Sequence, residues 1–223
     1  MSASQDYSQP IATVDAVVLT IEDGQLKLLV HRRTNNPFKG GWALPGGFIH
    51  TDDDRDTTAS IKRILEDKTG TSGYYVEQLA TYSGPDRDPR GWSLSVAHLA
   101  LVPFDHLGVE VGEDLRLMAV SHLPPLAFDH AQIVADAVSR LRGKGAYSSL
   151  PASFLHNTFT LAEMHKAYEI ALDTRLAPSA FRRKVSDLNF LEDTGEVSQG
   201  VNRRPAKVYR LRDGVSTFNR NLA

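Results

Sequence analysis

The sequence predicts an α/β body followed by a smaller helix-turn-helix unit that ends in a basic β-hairpin. Three observations carry this expectation. Val/Leu-rich strand patterns alternate with helical ones as far as Lys144. A Gly, Pro and Ser-rich stretch, GAYSSLPASFLHN, then occupies residues 145–157 and reads as an inter-domain linker. Beyond it lie two short amphipathic helices and a hairpin carrying Arg and Lys, the order of a winged helix-turn-helix. The corresponding domains are residues 1–150 and 151–223.

From Ile11 to Arg33, VDAVVLT and QLKLLVHRR flank a turn at Glu22, Asp23 and Gly24 and form a hairpin. WALPGGFI reads as a short third strand. Asp52 to Lys68 reads as a helix with acids in its first turn and Gly70 as its stop. YYVEQLATYS and SLSVAHLALV are further strands around the polar loop GPDRDPRGW, residues 84–92. FDHAQIVADAVSRLRGK has Ile133, Ala137, Val138 and Leu141 at helical spacing. In the second unit, TLAEMHKAYEIAL opens on a threonine cap and puts Leu161, Met164, Tyr168 and Leu172 on one stripe. PSAFRRKVSDLNFLEDTG predicts a helix with Pro near its start and Gly195 past its end. EVSQGVNRRPAKVYRLR supplies two strand pieces around a Gly, Asn, Pro tip.

Composition narrows the function classes. The chain has 223 residues, 41% hydrophobic and 23% charged, the profile of a globular protein. No apolar run approaches the roughly 20 residues that cross a bilayer, and MSASQDYSQP has neither the basic nor the apolar part of a signal peptide. A cytoplasmic location without a membrane partner is expected. The absence of cysteine excludes disulfides, thiolate zinc sites and a cysteine nucleophile. From Thr158 onward there are 11 Lys and Arg against 8 Asp and Glu, while the preceding residues carry 14 against 19. A basic segment on an acidic body points to an anionic partner for that segment.

Two groups of residues carry candidate chemistry. LPGGF leading into an acid-capped helix suggests a paired-glycine turn whose free N–H groups, with the helix dipole, face a phosphate. Gly46 and Gly47 would approach it closely, Arg32 and Lys39 flank the loop, Arg63 follows on the helix, and Arg87 and Arg90 sit on a loop able to close over it. Phe38 and Trp42 read either as base-stacking rings or as packing at the strand entrance. Asp52, Asp53, Asp54 and Asp56 read as caps compensating the helix dipole, with a metal cluster as the competing reading. In the second group, Arg182, Arg183 and Lys184 ride on a helix whose buried stripe is Phe181, Val185 and Leu188. Such a helix presents cations to a major groove. Arg203, Arg204 and Lys207 sit at the hairpin tip, where a wing touches the DNA backbone or minor groove. Each cluster alone is compatible with a solvated face; two in one winged-helix frame favour DNA.

Residues 38–70 resemble the Nudix family, whose fold is an α/β/α sandwich and whose helical glutamates hold divalent ions that activate water against a diphosphate. FKGGWALPGGF matches the approach to the family's signature, but the signature itself departs. Aligned on Gly70, it has Arg63 at the signature arginine and Ile64, Asp67 and Lys68 at the three helical glutamates. Aligned on Gly47, it has Asp53 at the first acid, Ile61 at the arginine, and Lys62, Leu65 and Glu66 at the glutamates. Either way one helical carboxylate survives. A lysine ammonium repels a cation and supplies no acceptor, so neither a metal site nor a catalytic residue is expected, and the protein is read as no enzyme.

AFRRK and GVNRRPAKVYR, following such a body, extend the likeness over nearly the whole chain. It resembles the Nudix-related transcriptional regulators of NAD metabolism, the NrtR family. The resemblance implies a Nudix-like sandwich followed by a winged helix, acting as a dimeric repressor on operator DNA near NAD biosynthesis or salvage genes. It also implies release by ADP-ribose or a related NAD-derived diphosphate, with no cofactor required. Two extra residues in the signature, and Ala180 where the family often has Asn, leave the ligand register and operator preference open. The competing reading is an active pyrophosphatase of the ADP-ribose type with a nucleic-acid-binding C-terminal domain.

Overall fold

The computed structural model describes residues 9–70, 72–108, 112, 114–198, 205–219 and 221–222. Strands β1 (Ile11–Glu22) and β2 (Gln25–Arg32) form the expected hairpin. Asp23 and Gly24 both take positive φ at its turn, 51° and 74°, the backbone that matches the twist of the flanking strands. The single strand expected at WALPGGFI is two strands. β3 (Trp42–Ala43) pairs with β2, and β4 (Gly46–Phe48) pairs with β1. Pro45 lies between them, and a proline has no N–H with which to continue a ladder.

β5 (Tyr75–Gly84) and β6 (Ser93–Leu101) complete the path β3-β2-β1-β6-β5, with β6 parallel to β1. β7 (Leu115–Ala119), unread in the sequence, pairs with β2. Its five residues carry no periodicity strong enough to mark a strand. Because β1 is central, both of its faces are buried. Val14, Ala16 and Val18 pack under α1 (Thr57–Thr69) with Ile61, Ile64 and Leu65, while Val17 and Leu19 pack under α2 (His130–Ala146) with Ile133, Ala137 and Leu141. The period of two along a strand produces this division, and the layers are helix, mixed sheet, helix.

α1 starts later than the sequence suggested. Asp56 is its cap, accepting the Ala59 N–H at 2.8 Å, and its first turn holds no acid. Asp54 instead organises the preceding loop, accepting from His50 N, Ser60 Oγ and Arg63. The dipole reading of the aspartate run therefore holds for Asp56 and fails for Asp54. Gly70 ends the helix as expected, at φ 65° with its N–H on the Glu66 carbonyl.

The second unit contains β8 (Phe159–Thr160), α3 (Leu161–Leu172), α4 (Pro178–Leu188), β9 (Leu191–Ser198) and β10 (Ala206–Leu211), with strand order β8-β10-β9. Thr160 and Glu163 form a reciprocal capping box on α3. α4 stops at Asn189 in the left-handed conformation rather than running on to Gly195. Asparagine tolerates that conformation, and Leu191 then begins pairing with Leu211, so Gly195 lies inside a strand.

The 145–157 stretch is packed, contrary to the linker reading. A 3-10 turn at Leu150–Phe154 buries Leu150, Pro151, Ala152 and Phe154. Tyr168 Oη donates to the Ser148 carbonyl at 2.7 Å, and burial pushes its phenol far above the usual tyrosine range. The C-terminal residues return over this junction. Ser149 N–H bonds the Ser216 carbonyl, Phe218 N–H that of Tyr147, and Leu222 N–H that of Ala146. Arg142 on α2 pairs with Asp173, the left-handed cap of α3, at 2.7 Å. Small and hydroxyl-bearing residues that look like a loop in one dimension here fit the seam between two cores. Among the described residues no helix is long and apolar enough to cross a membrane.

Candidate ligand cleft and nucleic-acid interface

A cleft of about 210 Å³ opens where β1, β2, β4, the 84–92 loop and the start of α2 meet. At its base, the nearly buried Asp15 carboxylate accepts from Ser95 Oγ at 2.5 Å and lies 3.6 Å from His130 Nε2. His130 Nδ1 accepts the Leu44 N–H at 2.9 Å, which leaves the ring proton on Nε2, facing Asp15. Burial pushes the His130 pKa down, so the contact joins a neutral imidazole to a carboxylate. His31 is pushed down to about 4 by burial, with the Lys68 ammonium adding to the effect.

Arginines and aromatic rings form the walls. The Arg33 guanidinium lies 4.7 Å from the Phe128 ring centroid, and its Nε donates to the Pro37 carbonyl. Its pKa is pulled below the ordinary arginine value, first by burial and then by Arg90, yet the group stays cationic. Arg90 sits 5.6 Å over Phe48 and is gripped by both oxygens of Asp88. Arg87 is gripped likewise by Asp129, at 2.9 and 2.8 Å. Guanidinium forks suit phosphate oxygens, and the exposed face of Phe48 suits a planar base. The volume is below the usual 300–1,000 Å³ of small-molecule sites, so a dinucleotide-like ligand would fill it and extend outside.

Gly46 and Gly47 are strand residues paired with Asp15 and Val14, not a turn. A Cβ at Gly46 would fall 2.2 Å from Asp15 Oδ1 and 2.7 Å from the Val14 carbonyl, and one at Gly47 would meet Ile64 Cδ1 at 3.3 Å. Close packing of β4 on β1 therefore requires glycine at Gly46.

Gly46, Gly47, Arg87 and Arg90 line the cleft; Arg32, Lys39 and Arg63 do not. Arg32 is exposed and donates to the Gly40 carbonyl, Lys39 is exposed, and Arg63 is held through Nε and Nη2 by Asp54 at 2.8 and 2.7 Å. That guanidinium keeps Asp54 well below the usual carboxylate range. Strand alternation would have selected Arg33, which shares a side with His31, over its neighbour Arg32. Asp15, Phe48, Phe128 and His130 were also unread. Trp42 packs against the α2 core, and Phe38 meets Phe128 edge-on at 4.8 Å. On α1, Ile64 is the side chain nearest Gly47, Lys62, Glu66 and Asp67 are exposed, and burial lowers the half-buried Lys68. The described acids and histidines that come together as a possible metal-holding group are Asp105, His106 and His156, none of which lines this cleft.

On the winged unit, α4 buries Phe181 and Val185 and leaves Arg182 and Arg183 exposed, without a partner among the described residues. Lys184 departs from that surface, since its Nζ donates to the Leu222 carbonyl at 3.2 Å. Lys207 pairs with Asp193 at 2.7 Å, which raises the lysine and lowers the aspartate. Arg203 and Arg204 lie outside the described residues.

Residues 10–137 match the NUDIX domain family, and residues 151–211 match the NrtR DNA-binding winged helix domain. The chain is 38% identical over 224 residues to the ADPR responsive transcriptional repressor NtrR of Acinetobacter baylyi, spanning 97% of this chain and 89% of that one. The chain belongs to the NrtR family. The crystal structure of Shewanella oneidensis NrtR complexed with a 27mer DNA matches it with a TM-score of 0.87 at 37% identity, over 96% of this chain and 100% of that one. The NUDIX domain of the same NrtR, cocrystallised with ADP ribose, matches 63% of this chain and 94% of its own with a TM-score of 0.56 at 37% identity. An ADP-ribose pyrophosphatase of Methanocaldococcus jannaschii is 35% identical over 135 residues, 58% of this chain and 74% of the relative. A Nudix sandwich followed by a winged helix, expected from the sequence, is the architecture of this NrtR-family chain.

Proposed function

We propose that this NrtR-family protein is a transcriptional repressor of NAD biosynthesis or salvage genes, binding operator DNA as a homodimer and released by ADP-ribose or a related NAD-derived diphosphate. Residues 1–150 sense the ligand and residues 151–223 read DNA. The observation that carries this reading is the position of α2. At its start, Asp129 grips Arg87 and His130 lines the cleft, while near its end Arg142 pairs with Asp173 of α3. Seventeen helical residues span about 25 Å, so one rigid element joins the cleft to the winged helix. Within the cleft, Arg33, Arg87 and Arg90 hold the diphosphate beside the backbone of Gly46 and Gly47, with Phe48 stacking on the base. A ligand phosphate competes with Asp129 for Arg87 and so frees the start of α2.

A ligand shifts this equilibrium only through its differential affinity for the two states. Release of operator by tenfold to a hundredfold corresponds to a coupling of about 1.4–2.8 kcal/mol. By reciprocity, saturating operator weakens ADP-ribose binding by the same factor. Calorimetric titration of ADP-ribose with and without operator is expected to show that difference in the parent, and Arg33→Ala to weaken binding in both titrations. Equal ligand affinity with and without DNA would sink the sensor reading even if both partners bind.

The same reading makes the protein no enzyme. The helix that should carry metal-binding glutamates places Ile64 beside Gly47 and sets the exposed carboxylates Glu66 and Asp67 among Lys62 and Lys68, a poorer donor set for a hard divalent cation than three glutamates. Purified protein with Mg²⁺ or Mn²⁺ is expected to leave ADP-ribose intact over many hours by chromatography. Metal-dependent turnover that disappears in Glu66→Ala or Asp67→Ala would replace this reading with an ADP-ribose pyrophosphatase, the activity named for the Methanocaldococcus relative.

A further inference from the structure

We propose that Asp105, His106 and His156 bind a divalent transition-metal ion of the zinc type at the seam between the two domains. Each residue offers one ligand atom, and these atoms all lie within 4.8 Å of one another. His156 Nε2 is 2.6 Å from Asp105 Oδ2, and the two imidazoles meet edge-on with centroids 5.2 Å apart. The three come from opposite sides of the junction. Asp105 and His106 sit on the 3-10 turn Phe104–His106 after β6, fixed by the His106 N–H on the Pro103 carbonyl and by the buried Leu107 that follows. His156 comes two residues after the buried turn Leu150–Phe154, inside the stretch that matches the winged-helix family.

Donor chemistry selects the ion. Two imidazole nitrogens and one carboxylate suit zinc and its borderline neighbours, whereas magnesium and calcium take oxygen ligands. Around a tetrahedral ion with bonds of about 2.0–2.1 Å, neighbouring donors stand roughly 3.3–3.5 Å apart. Binding therefore opens the His156–Asp105 contact slightly and sets all three donors, already within 4.8 Å of one another, at that spacing. All three residues are exposed, so rotamer changes disturb no core and the ion enters from solvent, leaving its fourth position to water. The backbone on each side is held by the packing already described, so the ion would staple the sheet domain to the winged unit. This site shares no residue with the ligand cleft, and its test stands apart from the repressor reading.

The full chain, stripped with a chelator, is to be titrated with Zn²⁺ by calorimetry, with Mg²⁺ as the control ion and thermal unfolding as a second readout. The expected result is one Zn²⁺ per chain, a Tm that rises with Zn²⁺ because the ion binds the folded form, and no response to Mg²⁺ at matched concentration. Loss of even an outer-sphere partner costs a metal site 10- to 100-fold, so His106→Ala and His156→Ala should each weaken Zn²⁺ at least about tenfold. His122→Ala, at an exposed histidine outside the cluster, should bind like the parent, and circular dichroism checks that every variant is folded. Zn²⁺ affinity unchanged in the folded variant that combines His106→Ala with His156→Ala, or no Zn²⁺ binding by the parent, would overturn the site.

Discussion

Arg182→Ala combined with Arg183→Ala is expected to abolish specific operator binding while leaving the fold intact. A base-reading arginine contributes about 1–3 kcal/mol and a phosphate-contacting lysine or arginine a uniform, salt-sensitive part, so the pair together removes up to about 6 kcal/mol if the two act independently. Both side chains are exposed on α4, off the face that buries Phe181 and Val185. Exposed substitutions of this kind usually change stability by less than about 0.5 kcal/mol. Gel shifts or fluorescence anisotropy at several salt concentrations separate the two contributions, since a lost phosphate contact flattens the salt slope by about one unit. Lys184→Ala should change affinity less, because its ammonium is turned to the Leu222 carbonyl. A double variant that binds operator like the parent at matched salt would remove α4 from the reading surface.

The second large effect is expected at Phe181, through folding rather than contact. Its side chain is 2% exposed and lies between Tyr168 and His165, with centroid distances of 5.3 and 5.1 Å. Truncating such a phenylalanine to alanine costs about 3–5 kcal/mol in lost transfer energy and residual cavity. That is a large share of the 5–15 kcal/mol typical of a whole domain. The cluster it serves includes Met164, Val185, Phe190 and Leu222 but none of the residues that line the cleft. Phe181→Ala should therefore lower the unfolding transition of the winged unit in scanning calorimetry and abolish DNA binding, while ADP-ribose still titrates at low temperature. An unchanged thermogram would show that this core does not hold α4 in place.

These two variants lose DNA for different reasons, and the sequence anticipated both. The stripe Phe181, Val185, Leu188 and the adjacent arginines are local features of one short helix, set by the 3.6-residue period. The β1–β2 hairpin, the course of β5 and β6, the apolar face of α2 and the threonine cap at Thr160 are legible on the same grounds, because neighbours in the chain decide them. A basic wing was readable as a pattern, but the Lys207 ion pair was not, since it required knowing which side chain Asp193 would meet across the strand register.

The cleft was legible only in part, for a related reason. Glycines and arginines near the Nudix-like stretch were visible as residue types, whereas their roles depend on partners far along the chain. Arg87 meets Asp129 across 42 positions, and Ser95 meets Asp15 across 80. Arg63 looked available for phosphate, but folding leaves it outside the cleft and paired with Asp54, and Arg33 replaced Arg32 because adjacent residues leave an extended chain on opposite sides. Residues 145–157 look like a linker because Gly, Pro and Ser favour turns, yet Ser148 and Ser149 are fully buried once the C-terminal segment and Tyr168 satisfy their backbone. The sequence by itself determined the order of the two units, the family resemblance and the basic helix, all properties of short-range pattern. Tertiary structure alone decided which charges are already paired and which face the cleft, because an ion pair or a hydrogen bond within about 3 Å is set by the meeting of distant segments that no local periodicity encodes.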